Sequence, residues 1–368
     1  MSIQELRDYI ASLPEKWGFP EGDCAVWKDD KEVMRQTYGT AKGDEIYWLF
    51  SCTKPITATL TLRLIEEDKL GLDDPVEKYL PAAAHMTVRD GDTVRDAKNV
   101  LTVRHLLSMR GGFDYDLSAP EIRRVIDADP EAPTRAVIEG LLTRPLCFEP
   151  GTHFQYSLCH DVLAAVLEAA GGDTFGHLLK KYIFDPLGMT DTGFVLSPAQ
   201  EKRMVKMWFY DNDAHTAAES PCVNGFALGD ARYESGGAGL FSTTDDYGKF
   251  LRTLANYGES PDNGYRLLTR ESVDLLRVDQ LDDACKADFK NVWRPGYSYG
   301  CGVRTMVDPA AANSASPIGE FGWDGACGCY LLVSPEKNLC AFYAQQIGNC
   351  GPAYADVHLT LREAAVEL

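Results

Sequence analysis

Short runs of alternating apolar and polar positions fill residues 23–50. CAVWK comes first, then EVMRQTYG after the charged turn Lys28-Asp29-Asp30-Lys31, then EIYWLF. Alternation with a period of two, broken by turn residues, predicts a three-stranded meander. The period then changes. In PITATLTLRLIEED the apolar positions Ile56, Leu60, Leu64 and Ile65 follow helical spacing, which predicts a helix ending near Gly71.

From Pro75 to about Pro221 helical spacing dominates. Thr102 is placed to cap a short helix over Val103–Leu107 that stops at Gly111-Gly112, and Leu158, Val162, Ala165, Val166 and Ala169 mark one face of a helix closed by Gly171-Gly172. After Gly236-Gly237-Ala238-Gly239, either Ser242 or Thr243 can cap a helix with acidic residues in its first turn. Strand pattern returns in YGCGVRTMV, CYLLVSP and LCAFYAQQ, with a turn at Ser334-Pro335-Glu336-Lys337-Asn338. The order strands, helices, strands predicts an α/β lobe formed by 1–75 and 222–368, interrupted by a mainly helical lobe over 76–221.

The chain has 368 residues, 45% of them hydrophobic, which is enough for a large core and excludes a disordered or collagen-like polypeptide. Its 36 basic and 55 acidic side chains give a net charge of -19, a field that repels nucleic-acid phosphates and anionic lipid. The first residues, MSIQELRDYIASLPEKWGF, lack the basic patch and apolar run of a signal peptide, and no segment reaches about 18 uninterrupted apolar residues. These features predict a soluble, cytoplasmic protein whose partner is neither nucleic acid nor membrane.

Eleven cysteines occur at 24, 52, 147, 159, 222, 285, 301, 327, 329, 340 and 350. No CxxC pair occurs, and the tight Cys327-Gly-Cys329 is not zinc spacing, so the expectation is reduced, buried thiols and no metal. His153 and His160 lack the i,i+4 spacing of a zinc pair, and no HExxH, GxxxxGK or GxGxxG sequence points to a metal or nucleotide cofactor. Both are expected to be structural, with His160-Asp161 placed to tune a pocket near Tyr156.

The tetrapeptide with chemical content is Ser51-Cys52-Thr53-Lys54, set where strand pattern gives way to helix. Residues three apart share a helix face, so the Lys54 amine can approach the Ser51 hydroxyl. Burial lowers an amine's pKa, which lets it accept the hydroxyl proton and turn a weak nucleophile into an active one. Helix-start N–H groups lie close enough to hold an oxyanion, and Pro55 fits a first helical turn. Cys52 points about 100° away around the helix, as a packing residue.

In its wider context this segment resembles the serine β-lactamase and penicillin-binding-protein superfamily. With Leu70-Gly71-Leu72-Asp73-Asp74-Pro75, it is most similar to the branch of class C β-lactamases, D-aminopeptidases and family VIII carboxylesterases. Further stretches follow in register: Thr102-Val103-Arg104-His105-Leu106-Leu107, Pro150-Gly151 leading into Tyr156-Ser157, Pro186-Leu187-Gly188-Met189-Thr190-Asp191-Thr192, and Gly236-Gly237-Ala238-Gly239-Leu240-Phe241-Ser242-Thr243. The resemblance implies an antiparallel sheet flanked by helices with a mainly α-helical insertion. It also implies an acyl-enzyme on Ser51, with Lys54 and Tyr156 relaying the proton. A phenol of pKa about 10 serves only if a cation lowers it or if it passes the proton onward.

Two departures bear on specificity. Leu158 stands where many relatives have Asn, which removes a hydrogen bond to a substrate amide. Trp323-Asp324-Gly325, followed by Ala326, stands where β-lactamases have Lys-Thr-Gly, as in family VIII esterases. Trp323 takes the place of a cation, and Asp324 repels a carboxylate. The expected substrate is therefore a small neutral or hydrophobic ester, with a D-amino-acid amide or β-lactam as the alternative within the class and a non-catalytic binding protein outside it. Pocket shape is expected to lie in loops 110–135 and 205–232. Cys52, Cys159 and Cys327 fall beside the expected site, so thiol reagents are expected to inhibit without any cysteine being catalytic.

Overall fold

Seven antiparallel strands, drawn from both ends of the chain, form the main sheet. In a computed structural model that describes residues 1–220 and 233–368, they are β1 (Glu21–Lys28), β2 (Lys31–Gly39), β3 (Tyr297–Tyr299), β4 (Arg304–Met306), β5 (Phe321–Asp324), β6 (Tyr330–Ser334) and β7 (Leu339–Ala344). Their spatial order is β2-β1-β7-β6-β5-β4-β3. The expected lobe boundary at 221/222, Cys222 and part of loop 205–232 lie outside the described residues.

Alternate side chains of the central strands enter different cores, because successive residues of a strand point to opposite faces. Cys24, Val26, Leu332, Ala341 and Tyr343 pack with Leu6 and Ile10 of helix α1 (Ile3–Ala11) and with Leu361 and Ala365 near the C-terminus. Ala25, Trp27, Leu331, Val333 and Phe342 belong to the larger core, where Tyr247 stacks on Phe342 at 4.5 Å. With both faces covered, these strands read as continuous apolar runs.

Helix α2 (Lys54–Glu66) starts from the turn that carries Ser51. Phe50 has φ of +46°, a left-handed conformation costly for a side chain with a Cβ, held here by its stacking on Trp48 at 4.6 Å. Residues 50–53 then make one 3₁₀ turn, and Pro55 sits in the first turn of α2 as expected. Instead of a single apolar face, α2 is buried almost all round, because helix α3 (Cys159–Gly171) packs on its other side. Two of its three buried threonines bond to carbonyls, Thr57 Oγ1 donating to Gly236 O at 2.7 Å and Thr61 Oγ1 to Thr57 O at 2.9 Å, whereas the Thr59 hydroxyl has no partner among the described residues.

Capping follows the sequence reading. Thr102 accepts from the His105 N–H, Gly172 closes α3 with φ of +74°, and Thr243 rather than Ser242 caps helix α4 (Thr244–Ala255) by accepting from Asp246 N.

Two expectations are corrected. EIYWLF is not a third strand of the meander: Tyr47–Trp48 pairs instead with Phe241–Ser242, because the chain must leave the sheet to reach the Ser51 turn. YGCGVRTMV is two strands, reversing at Gly302, whose φ is +74°. Residues 76–221 include two hairpins, Thr87–Asp90 with Thr93–Asp96 and Trp208–Asp211 with Thr216–Glu219; in the second, Trp208–Asp211 also pairs with Ile347–Gly348. No helix among the described residues is long and apolar enough to cross a membrane.

Candidate active site

Ser51 and Lys54 meet as their spacing predicts. The Lys54 amine is fully buried, 3.1 Å from Ser51 Oγ and 2.7 Å from the Gly237 carbonyl oxygen. Burial lowers its pKa to about 7, against the opposing pull of Asp161. Near neutral pH a substantial fraction of this amine is therefore uncharged and able to take a proton. Ser51 itself is 8% exposed, at the inner end of a cavity.

Tyr156 joins them from the segment before α3. Lys54 Nζ lies 4.6 Å from its ring centroid, and the phenol engages Ser51. Trp323 Nε1 donates to Tyr156 Oη at 3.1 Å, and the two rings stack at 5.5 Å. The nearby cation does not lower this phenol: burial holds it well above its ordinary value, so Tyr156 is a neutral donor that can only pass a proton along. Sequence reasoning missed Tyr115, which stacks on the outer face of Tyr156 at 5.6 Å and has Lys54 Nζ 5.4 Å from its own ring.

It also gave Asp161 too small a part. This buried carboxylate accepts from Ser235 Oγ at 2.5 Å and Tyr233 Oη at 2.7 Å, and burial raises its pKa while these bonds and Lys54 oppose the rise. Between Asp161 and Lys54 runs the backbone of Gly237. A Cβ there would stand 2.6 Å from Asp161 Oδ2 and 3.4 Å from Lys54 Nζ, so only glycine lets the two charges share this space. The visible signal was the helix periodicity after Tyr156, which sets position 161 one turn into α3.

Trp323 and Asp324 end strand β5. Pairing with β4 covers only Phe321 and Gly322, which leaves Trp323 and Asp324 paired on one side, toward β6. Gly325 continues the chain against the segment that precedes Ser51: a Cβ would lie 2.5 Å from Leu49 O. Ala326 lines the cavity beside Ser51, and its N–H has no acceptor among the described residues.

The cavity encloses about 550 Å³. Of the expected substrate contacts, Trp323, Asp324 and Ala326 line it, and Gly325 and Leu158 do not: Leu158 is buried in the main core, its N–H bonded to Asp114 O at 3.1 Å, because α3 begins there and turns it inward. Trp323 stands in place of one cation, but the cavity holds others that sequence reasoning missed. Arg294, Arg304 and Arg362 reach its wall from three separate segments, a convergence invisible in local spacing.

His160 is buried, and burial lowers its pKa to about 3, as befits a structural residue. His153 Nδ1 lies 3.0 Å from Asp288. Among the described residues no group of three or more His, Cys, Asp or Glu could hold a metal ion. Cys52, Cys159 and Cys327 are buried and their thiols are pushed upward, that of Cys159 to about 11, so they are poor targets for thiol reagents, contrary to expectation.

The family model described as Beta-lactamase matches residues 6–360. The chain belongs to the β-lactamase family. This β-lactamase-family chain has a β-lactamase/transpeptidase-like fold and is a serine hydrolase. It is 31% identical to lovastatin esterase of Penicillium rubens, over 87% of this chain and 84% of the relative, and 29% identical to esterase EstB of Burkholderia gladioli, over 80% and 76%. Among solved structures, unliganded simvastatin synthase LovD from Aspergillus terreus superposes with TM-score 0.83 at 20% identity, covering all of this chain and 98% of LovD. EstCE1, a hydrolase with promiscuous acyltransferase activity, gives 0.81 at 22% identity, covering 99% and 98%.

Proposed function

We propose that this protein is an esterase that forms an acyl-enzyme on Ser51 from small esters whose acyl group is apolar next to the carbonyl. The observation that carries this reading is the buried Lys54 amine, with a pKa of about 7, within 3.1 Å of Ser51 Oγ. Neutral Lys54 takes the Ser51 proton as Oγ attacks the ester carbonyl carbon. The N–H groups of Ser51 and Ala326 hold the oxyanion. When the carbon–oxygen bond to the leaving group breaks, Tyr156 gives its proton to that oxygen and recovers one from Lys54. Water then repeats the sequence at the acyl carbonyl and frees Ser51.

Trp323 and Trp293, stacked at 4.9 Å, offer a flat apolar wall for the acyl chain. Of the residues lining the cavity, Tyr156 alone comes from 76–221. Relatives named as esterases support ester over amide, and the Ser51–Lys54–Tyr156 arrangement argues against a silent scaffold. A panel of 4-nitrophenyl acetate, butyrate and octanoate, run beside nitrocefin and D-alanyl-4-nitroanilide, tests it. Ester turnover lost in Ser51→Ala is expected; nitrocefin or the anilide as the better substrate would overturn the ester assignment.

A further inference from the structure

The cavity runs from Ser51 past Trp323 to a wall where Arg294, Arg304 and Arg362 meet. Two of these guanidiniums already have carboxylate partners. Arg304 pairs with Glu320 at 2.8 Å and donates to Tyr330 Oη at 2.6 Å, both inside the core. Arg362 pairs with Glu363 at 2.7 Å and donates to Tyr297 Oη at 3.0 Å. Arg294 stands apart, exposed at the mouth and donating to the Tyr354 backbone carbonyl, with no carboxylate partner among the described residues.

Burial and its neighbours act on the charge of Arg294 in opposite directions. Burial of its stem and the adjacent Arg362 both disfavour its charge, although Asp324 is near enough to oppose them. Asp324 accepts no hydrogen bond from any described residue, and burial raises its pKa to about 7, so it is a weak counter-ion at neutral pH. Arg294 is thus the one guanidinium of the three without a carboxylate bonded to it among the described residues. A carboxylate can take two parallel bonds from a guanidinium, which gives such a wall a definite complement.

We propose that this end of the cavity binds a carboxylate borne by the ester at a distance from the scissile carbonyl, with Arg294 as the residue that selects it. The substrate class is then a hemiester of a dicarboxylic acid, its methylenes lying along Trp293 and Trp323. This inference rests on the Ser51 reading for turnover but not for binding. Asp324 works against it, which makes the two residues opposite in effect.

The experiment compares 4-nitrophenyl hemiesters of succinate, glutarate and adipate with neutral 4-nitrophenyl esters and terminal-amide esters of equal length. At least one hemiester is expected to exceed its neutral and amide counterparts in kcat/KM. Arg294→Gln should lower that preference about three- to tenfold, the range of a partly exposed charge pair, the loss falling on the hemiester more than on the neutral ester. Arg294→Lys should restore part of it, and Asp324→Asn should raise it.

A neutral or amide ester preferred at every length, or a preference untouched by Arg294→Gln, would overturn the inference while leaving the esterase reading intact. In parallel, Ser51→Ala protein is titrated calorimetrically with the monomethyl esters of the same diacids and with the matching neutral methyl esters. Binding of a monoester that weakens in Ser51→Ala/Arg294→Gln supports the carboxylate site even if no ester is turned over. Equal or absent binding of both series overturns it.

Discussion

The Lys54 amine lies 3.1 Å from the Ser51 hydroxyl oxygen and 2.7 Å from the Gly237 carbonyl, inside a pocket that lowers its pKa to about 7. Below that pH Lys54 is protonated and cannot accept from Ser51; above it the amine is neutral. For an uncharged ester, kcat/KM should rise about tenfold per pH unit below 7 and level off above. A profile flat from pH 5 to 9 would contradict Lys54 as the base. Lys54→Arg, charged at every accessible pH, should lose on the order of 10³-fold or more in kcat.

The same shift sets a trend in stability. Unfolded, Lys54 binds a proton up to pH about 10.4, whereas folded it releases it above about 7. Between these values the unfolded chain holds more protons, so this group's contribution favours folding increasingly as pH rises. Urea midpoints of wild type and Lys54→Met, compared between pH 7 and 10, measure it: the difference between the two proteins should change in favour of wild type with rising pH. A difference independent of pH would contradict a neutral buried amine.

Trp323→Phe keeps a ring in the stack with Tyr156 but deletes the 3.1 Å bond to Tyr156 Oη. We expect kcat to fall about tenfold, the worth of one hydrogen bond to a group in the reaction path, alongside a lower unfolding midpoint from the lost indole packing against Trp293 and Tyr299. Unchanged kcat would show that Trp323 serves packing alone.

Gly237→Ala forces a Cβ to within 2.6 Å of Asp161 Oδ2. Relief requires separating Asp161 from Lys54, so the variant should lose about 1–3 kcal/mol of stability. Its acid limb should also move to lower pH as the raising influence of Asp161 on Lys54 weakens. An acid limb that stays in place would mean the two charges are not coupled.

Of the ten described cysteines, Cys147 alone is exposed. Among those ten it should react first with a thiol reagent, with ester turnover retained. Mass mapping of the labelled peptides checks the order, and early labelling of Cys52 or Cys159 with loss of activity would contradict their burial.

The parts of the site legible in the sequence were those whose geometry is local. Ser51 and Lys54 meet because three residues make nearly one helical turn, and Thr102 and Gly172 cap their helices by rules that act within four residues. Tyr156 and Trp323 were reached through resemblance, since nothing local joins positions 167 apart. Leu158 was misplaced because the handedness of the turn into α3, which sends it to the core and Asp161 toward Lys54, is not written in residue type. The three arginines stayed invisible because they come from separate segments that only the fold brings together.

The nucleophilic role of Ser51 is tested most directly by intact-mass spectrometry of the protein quenched during turnover of a 4-nitrophenyl ester, followed by peptide mapping. The account predicts a mass increase equal to one acyl group, located on Ser51 and absent from Ser51→Ala. An acyl group on another residue, or undiminished turnover by Ser51→Ala, would contradict it.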